Sequence, residues 1–334
     1  MIEPLNWREI TYEAMRRRKS EGMTQEDVAS LAGVSRATVI ALERGETSVR
    51  LDKALEILRV LGLAIGSESA DDQDSFVRAA RERWEELVAP LPLTAPARFP
   101  HGFAAFDYEV LDIEARRPRD FLNLLQQAVV HQTGWPPFWI PKKEALRPTI
   151  QDGLIECWLG KPNVDRVFDD AAHSDFWRAS PSGRLYLQRG YQEDGPDVLE
   201  PGTIFDLTLP IWRCGEILLH AESLAHALAP NESKPVKLRA HYTGLAGRDL
   251  VSWAKPSRRY ADLDVQRSRT NEVTTTVTAE SKSIVPDLAN LVRRWLTPLY
   301  ERFDFFDLSS ALVEQEISQL MARKDHFRPN RSRD

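Results

Sequence analysis

Apolar residues recur every three or four positions along the first sixty residues, in runs separated by glycines. The first predicted helix runs from Trp7 to Lys19, opened by Asn6 with Glu9 three residues on, the spacing of a capping box. The second starts at Thr24, with Asp27 three residues on, and ends at Gly33, where a tight turn favours a residue without Cβ. Ser35 caps a third helix, Arg36 to Glu43, which stops at Gly45. Leu51, Ala54, Leu55, Leu58 and Leu61 mark one face of a fourth, ended by Gly62. Two short helices joined by a glycine turn make a helix-turn-helix, and Val28, Ala29, Val34, Val39 and Leu42 are the apolar side chains that fix the angle between them.

Beyond this the pattern changes. Residues 66–75 are polar and acidic without apolar periodicity, which reads as a linker. A connector helix with Phe76, Ala80, Trp84, Leu87 and Val88 near one face follows, and the prolines at 90, 92 and 96 end it. Later helical stripes lie at Phe121–Val129, Ile217–Leu228, Leu288–Phe303 and Leu312–Met321. Strand alternation is clearest at Val236–Tyr242 and Val273–Ala279, and weaker at 185–187 and 155–158. Helices and strands mix without strict alternation, so the expected fold is an all-α helix-turn-helix domain of four to five helices followed by a larger α+β domain. The divisions are 1–65 for the first domain, 66–99 for linker and connector, 100–322 for the second domain and 323–334 for a polar basic tail.

At 334 residues, 42% hydrophobic and 28% charged, the chain suits two globular domains. No run of 18 apolar residues occurs, and the N-terminus has no basic patch followed by an apolar stretch, so neither a membrane span nor a secretory signal is expected. Two cysteines exclude a disulfide framework or a four-cysteine zinc site, and a reducing cytoplasm is the expected compartment. The net charge of −6 falls wholly outside residues 1–66, where ten basic and ten acidic residues balance. A neutral small domain still meets phosphates if its cations gather on one face.

The run Thr24-Gln25-Glu26-Asp27-Val28-Ala29-Ser30-Leu31-Ala32-Gly33-Val34-Ser35-Arg36-Ala37-Thr38-Val39-Ile40-Ala41-Leu42-Glu43-Arg44-Gly45 closely resembles the phage-repressor/Cro-like (XRE) helix-turn-helix family over roughly residues 8–63. The resemblance implies that Gln25 contacts a phosphate and braces the recognition helix. It places Ser35, Arg36, Ala37 and Ala41 at base-facing positions, with Thr38 and Arg44 beside the DNA backbone. Arg36 is then the residue suited to guanine O6 and N7, while the alanines offer only methyl contacts. The bland alternative is a helical domain that binds protein, with Arg16, Arg17, Arg18, Lys19 and Arg50 as ordinary solvated surface.

The larger domain resembles no recognised family, and few catalytic patterns fit it. His220 and His226 are six apart, about 240° round a helix, so they do not share a zinc. The pair His220 and Glu222 lacks the Pro-Cys-x-x-Cys partner of zinc deaminases, and no P-loop or Gly-x-Gly-x-x-Gly occurs. A weak nuclease-like pattern remains in Glu280-Ser281-Lys282 with Asp262 or Asp264, set against a surface Glu and Lys at a strand end. Seven of the nine tryptophans lie here, most of them expected in the core. Two clusters mix aromatic with polar groups: residues 133–139 and 173–178. Trp135, Trp139, His173, Asp175, Trp177, Arg178 and Arg189 are the candidate lining of a ligand pocket, against the alternative of a packed loop with an Asp175–Arg178 ion pair.

These readings combine into a cytoplasmic transcriptional repressor bound as a homodimer to double-stranded DNA at a near-palindromic operator, with a small molecule or nucleotide as possible effector. No metal, cofactor or membrane partner is expected, and no enzymatic activity. The second domain would dimerise or sense, and the long apolar faces at 287–303 and 311–321 are its candidate interface, against the alternative that most of that surface is core. The alternatives are a DNA-targeted enzyme, such as a metal-dependent nuclease, and a scaffold of a defence or toxin–antitoxin complex.

Overall fold

Trp7–Ser20 forms α1 in the computed structural model, which describes residues 7–61, 63, 68–166, 168–195, 200–254 and 266–323. α2 (Gln25–Leu31), α3 (Arg36–Glu43) and α4 (Leu51–Val60) follow. The capping box forms at α2: the Asp27 amide donates to Thr24 Oγ1 at 3.1 Å and the Thr24 amide to Asp27 Oδ2 at 2.7 Å. Gly33 and Gly45 take φ of 62° and 73°, left-handed values that let the chain turn at once after α2 and α3. Val28, Ala29, Val39 and Leu42 are buried, with Val34 packed partly buried against them. The inward face of α4 differs from the expected stripe, because Ala54, Ile57, Leu58 and Leu61 are buried whereas Leu51 and Leu55 are exposed. At 100° per residue those four buried positions fall within about 100° of one another, and Leu55 lies outside that arc. The expected Asn6 cap and Gly62 stop lie outside the described residues.

The chain divides into two compact units, Met1–Asp74 and Ser75–Asp334. α5 (Glu68–Val88) begins inside the stretch expected to be a linker. From Glu68 to Ser75 there is neither Gly nor Pro, and Glu, Ala and Gln tolerate helix, so polarity alone did not mark a coil. Residues 75–99 belong with the larger unit. The tail from 324 lies outside the described residues.

The larger unit is built on β1 (Phe103–Val110), β2 (Thr149–Gln151), β3 (Leu154–Trp158), β4 (Phe176–Ser180), β5 (Arg184–Gly190), β7 (Pro235–Tyr242) and β9 (Val273–Glu280). They form one sheet in the order β2-β3-β4-β5-β1-β7-β9, every neighbouring pair antiparallel. β6 (Ile204–Asp206) and β8 (Asp249–Val251) make a separate parallel pair. α6 (Pro118–Ala128), α7 (Leu209–Leu228), α8 (Leu288–Tyr300) and α9 (Ser310–Ala322) complete this α+β unit. Phe106, Tyr108 and Val110 of β1 enter the main core with residues of all four helices. On the opposite sheet face Ala105, Phe176 and Tyr186 pack with Val77 and Ala80 of α5.

The faces of α8 and α9 expected at a dimer interface are spent inside this core. Leu291, Trp295, Leu299, Val313, Ile317 and Leu320 are all buried in the main cluster. No helix among the described residues is long and apolar enough to cross a membrane.

Candidate functional site

The start of α3 is shaped by Ser35. Its Oγ accepts from the Thr38 amide at 3.2 Å and lies 2.8 Å from Thr38 Oγ1, so the two hydroxyls are engaged with each other. Ser35, Arg36 and Ala37 are exposed, Thr38 and Ala41 half-buried, and Arg44 is the exposed C-cap residue. Among the described residues Arg36 meets only Glu26, at 3.9 Å with both side chains mostly in solvent, an ion pair of little strength. The guanidinium is thereby left available at the first helical position.

Beneath this surface a small polar brace joins three helices. Arg18 of α1 donates from Nε to Glu43 Oε1 at 2.5 Å and from Nη2 to Oε2 at 3.1 Å, while Gln25 Nε2 donates to Glu43 Oε2 at 2.8 Å. Burial would raise the Glu43 carboxyl, but the hydrogen bonds from Arg18 and Gln25 and the charges of Arg18 and Lys19 outweigh it and hold it below the ordinary value. Gln25 therefore spends one N–H on bracing α3, and its amide carries a second. Arg18, read from sequence only as surface, is the residue that ties α1 to this brace.

In the larger unit the seven residues singled out as a pocket separate into two sets. Trp135, Trp139 and His173 line a cavity of about 700 Å³, with Phe168, Lys142 and Arg166. Asp175, Trp177, Arg178 and Arg189 are buried, at 4% exposure or less, and none lines that cavity. Trp177 is core because residues 176–180 are strand β4, and its indole Nε1 donates to the Trp139 carbonyl at 3.1 Å. The expected Asp175–Arg178 pair is absent: Arg178 lies against Glu156 at 3.3 Å, and Asp175 takes Arg189, Nε to Oδ1 at 2.9 Å. Asp175 immediately precedes β4 and stands three residues, an odd number, from Arg178, so alternation along the extended chain sends the two side chains to opposite faces.

The buried set still serves the cavity at one remove. Trp135 Nε1 donates to Asp175 Oδ2 at 3.2 Å, and Arg189 reaches the Trp135 and Pro136 carbonyls at 3.5 Å. Glu216 of α7 accepts from the Thr133 amide at 3.0 Å and its hydroxyl at 2.6 Å. Phe168, Lys142 and Arg166 were missed in the sequence. The adjacency of Lys142-Lys143 to the aromatic run ending at Trp139 was the available signal.

The remaining chemical patterns resolve into local contacts. Glu280 accepts from Ser233 Oγ at 2.8 Å and Lys282 Nζ donates to the Asn231 carbonyl at 3.1 Å, while Asp262 and Asp264 lie outside the described residues. His220 is fully buried, its Nδ1 2.7 Å from Tyr108 Oη, and desolvation pushes its pKa down to about 3.

Residues 15–66 match the Helix-turn-helix family. Over 45 residues the chain is 51% identical to an uncharacterized HTH-type transcriptional regulator of Methanothermobacter thermautotrophicus, a match covering 14% of this chain and 65% of that relative. Capped helices, glycine turns and these likenesses together make residues 15–66 an XRE-family helix-turn-helix domain.

Proposed function

We propose that the protein is a sequence-specific DNA-binding transcriptional regulator, a repressor that binds a near-palindromic operator as a homodimer. The observation that carries this reading is the exposed, Ser35-capped start of α3, where Arg36 is held among the described residues by nothing stronger than a 3.9 Å surface pair. A helix of this kind offers its N-terminal side chains to base edges in a major groove, and Arg36 suits the O6 and N7 acceptors of guanine. The brace of Arg18, Gln25 and Glu43 supports that role by fixing the angle of α3. Two-fold symmetry would set the half-sites about one helical turn apart.

The unit Ser75–Asp334 is assigned to dimerisation or ligand sensing rather than to catalysis. The aromatic cavity supports sensing, and the contacts of Glu280 and Lys282 give a nuclease reading no support. The test is selection of duplexes from a random library by the full chain, followed by reporter repression from the selected site.

A further inference from the structure

We propose that the cavity beside Trp135 binds a flat aromatic molecule bearing an anionic group. Its volume, about 700 Å³, lies within the range of small-molecule sites. One wall is a continuous run of rings. Trp139 and Trp135 meet at 4.8 Å between centroids, Trp135 and His173 at 4.6 Å, and His173 and Phe168 stack at 4.3 Å with planes 20° apart. Phe168 ends the run 47% exposed, a large apolar side chain that a stacked ring would cover.

That wall is anchored before any ligand arrives. Trp135 is pinned through Nε1 to the buried Asp175, itself paired with Arg189, and His173 Nδ1 sits 2.8 Å from both oxygens of Asp170. Preorganised rings lose little side-chain freedom on binding, which is the condition for useful affinity from stacking. The anionic requirement comes from the rim. Arg166 is taken by Asp169 and the Leu159 carbonyl, and Lys143 by Asp165. Lys142, exposed at the mouth, has no acidic partner among the described residues and leaves the rim with an uncompensated cation. An aromatic surface beside such a charge selects ring-bearing anions over neutral rings of the same shape.

The proposal deepens the sensing role given above and rests on that reading only for its coupling to DNA. Its test is fluorescence titration of the folded full chain with two dyes of the same ring skeleton, 8-anilinonaphthalene-1-sulfonate and the neutral N-phenyl-1-naphthylamine. The sulfonate is expected to bind at one site about fivefold or more tighter than the neutral dye, and Lys142→Ala to abolish that difference. Phe168→Ala is expected to weaken both dyes roughly tenfold with an unchanged circular dichroism spectrum. Equal affinities for the two dyes, or an unaltered titration in Phe168→Ala, overturns the proposal. A separate arm measures affinity for the selected duplex with the sulfonate saturating. A shift there supports coupling, whereas no shift with the dye bound overturns the sensing role alone.

Discussion

Arg18 and Glu43, 25 residues apart in sequence, close the helix-turn-helix with a paired hydrogen bond whose two side chains are only 11% and 7% exposed. Removing one partner leaves the other buried and short of partners. Arg18→Ala is expected to destabilise this unit by roughly 1–3 kcal/mol. Hydrogen exchange of the α3 amides in the full chain reads that loss directly, and unchanged exchange contradicts the bracing role. Because the folded Glu43 carboxyl lies below its ordinary value of 4.5, its contribution is complete above that pH and is lost as pH falls through the lower folded value. Glu43→Gln is expected to flatten that acid limb.

Trp177 and Phe168 make a matched pair of tests for what is core and what is site. Trp177→Ala removes a fully buried side chain on a central strand and is expected to cost about 3–5 kcal/mol. Phe168→Ala, on the exposed end of the ring wall, is expected to stay within about 0.5 kcal/mol of the parent. Denaturant unfolding of the larger unit measures both, and a Trp177→Ala chain as stable as the parent contradicts its placement.

The contrast shows what sequence could and could not convey. Helix caps and glycine turns act within four residues, so Thr24, Ser35, Gly33 and Gly45 announced α2 and α3 directly. β1 went unseen because it is buried on both faces and its polar residues break any simple pattern. Asp107 is held by Arg239 and Glu109 by Arg184, each at 2.9 Å, partners 132 and 75 residues away. Asp175 and Arg189 were singled out for polar character among aromatics, but the pairing of Asp175, just before β4, with Arg189 of β5 needed the register that sets Phe176 opposite Gln188. The cavity likewise joins residues 126–146 with 159–173, a juxtaposition that no local spacing encodes.

Glu193 gives the larger unit a pH signature. Desolvation, the largest influence on this fully buried carboxyl, raises its pKa from 4.5 to about 7, although it accepts from the Asp206 amide at 2.9 Å. A raised folded value means that the folded state binds the proton more tightly. This stabilisation is complete below pH 4.5 and is lost as pH rises through about 7. Glu193→Gln keeps the acceptor without the charge, so its stability relative to the parent is expected to increase between pH 4.5 and 8. A constant difference across that interval contradicts the assignment.

Sedimentation of the full chain at micromolar concentration is expected to show a dimer. With the apolar faces of α8 and α9 enclosed in their own unit, the contact must use other surface. A strict monomer that still binds a palindromic site with full affinity contradicts the homodimer.

We propose that α3 reads base sequence, with Gln25 positioning it and Arg36 specifying it. Binding of the parent, Gln25→Ala and Arg36→Ala chains is to be measured against the selected duplex and its single-base-pair variants at fixed salt. Gln25→Ala is expected to weaken all duplexes alike. Arg36→Ala is expected to cost about 1–3 kcal/mol on the selected site and to erase discrimination at one base pair while sparing the others. Parent-like affinity and an unchanged preference at every position in Arg36→Ala would contradict the account.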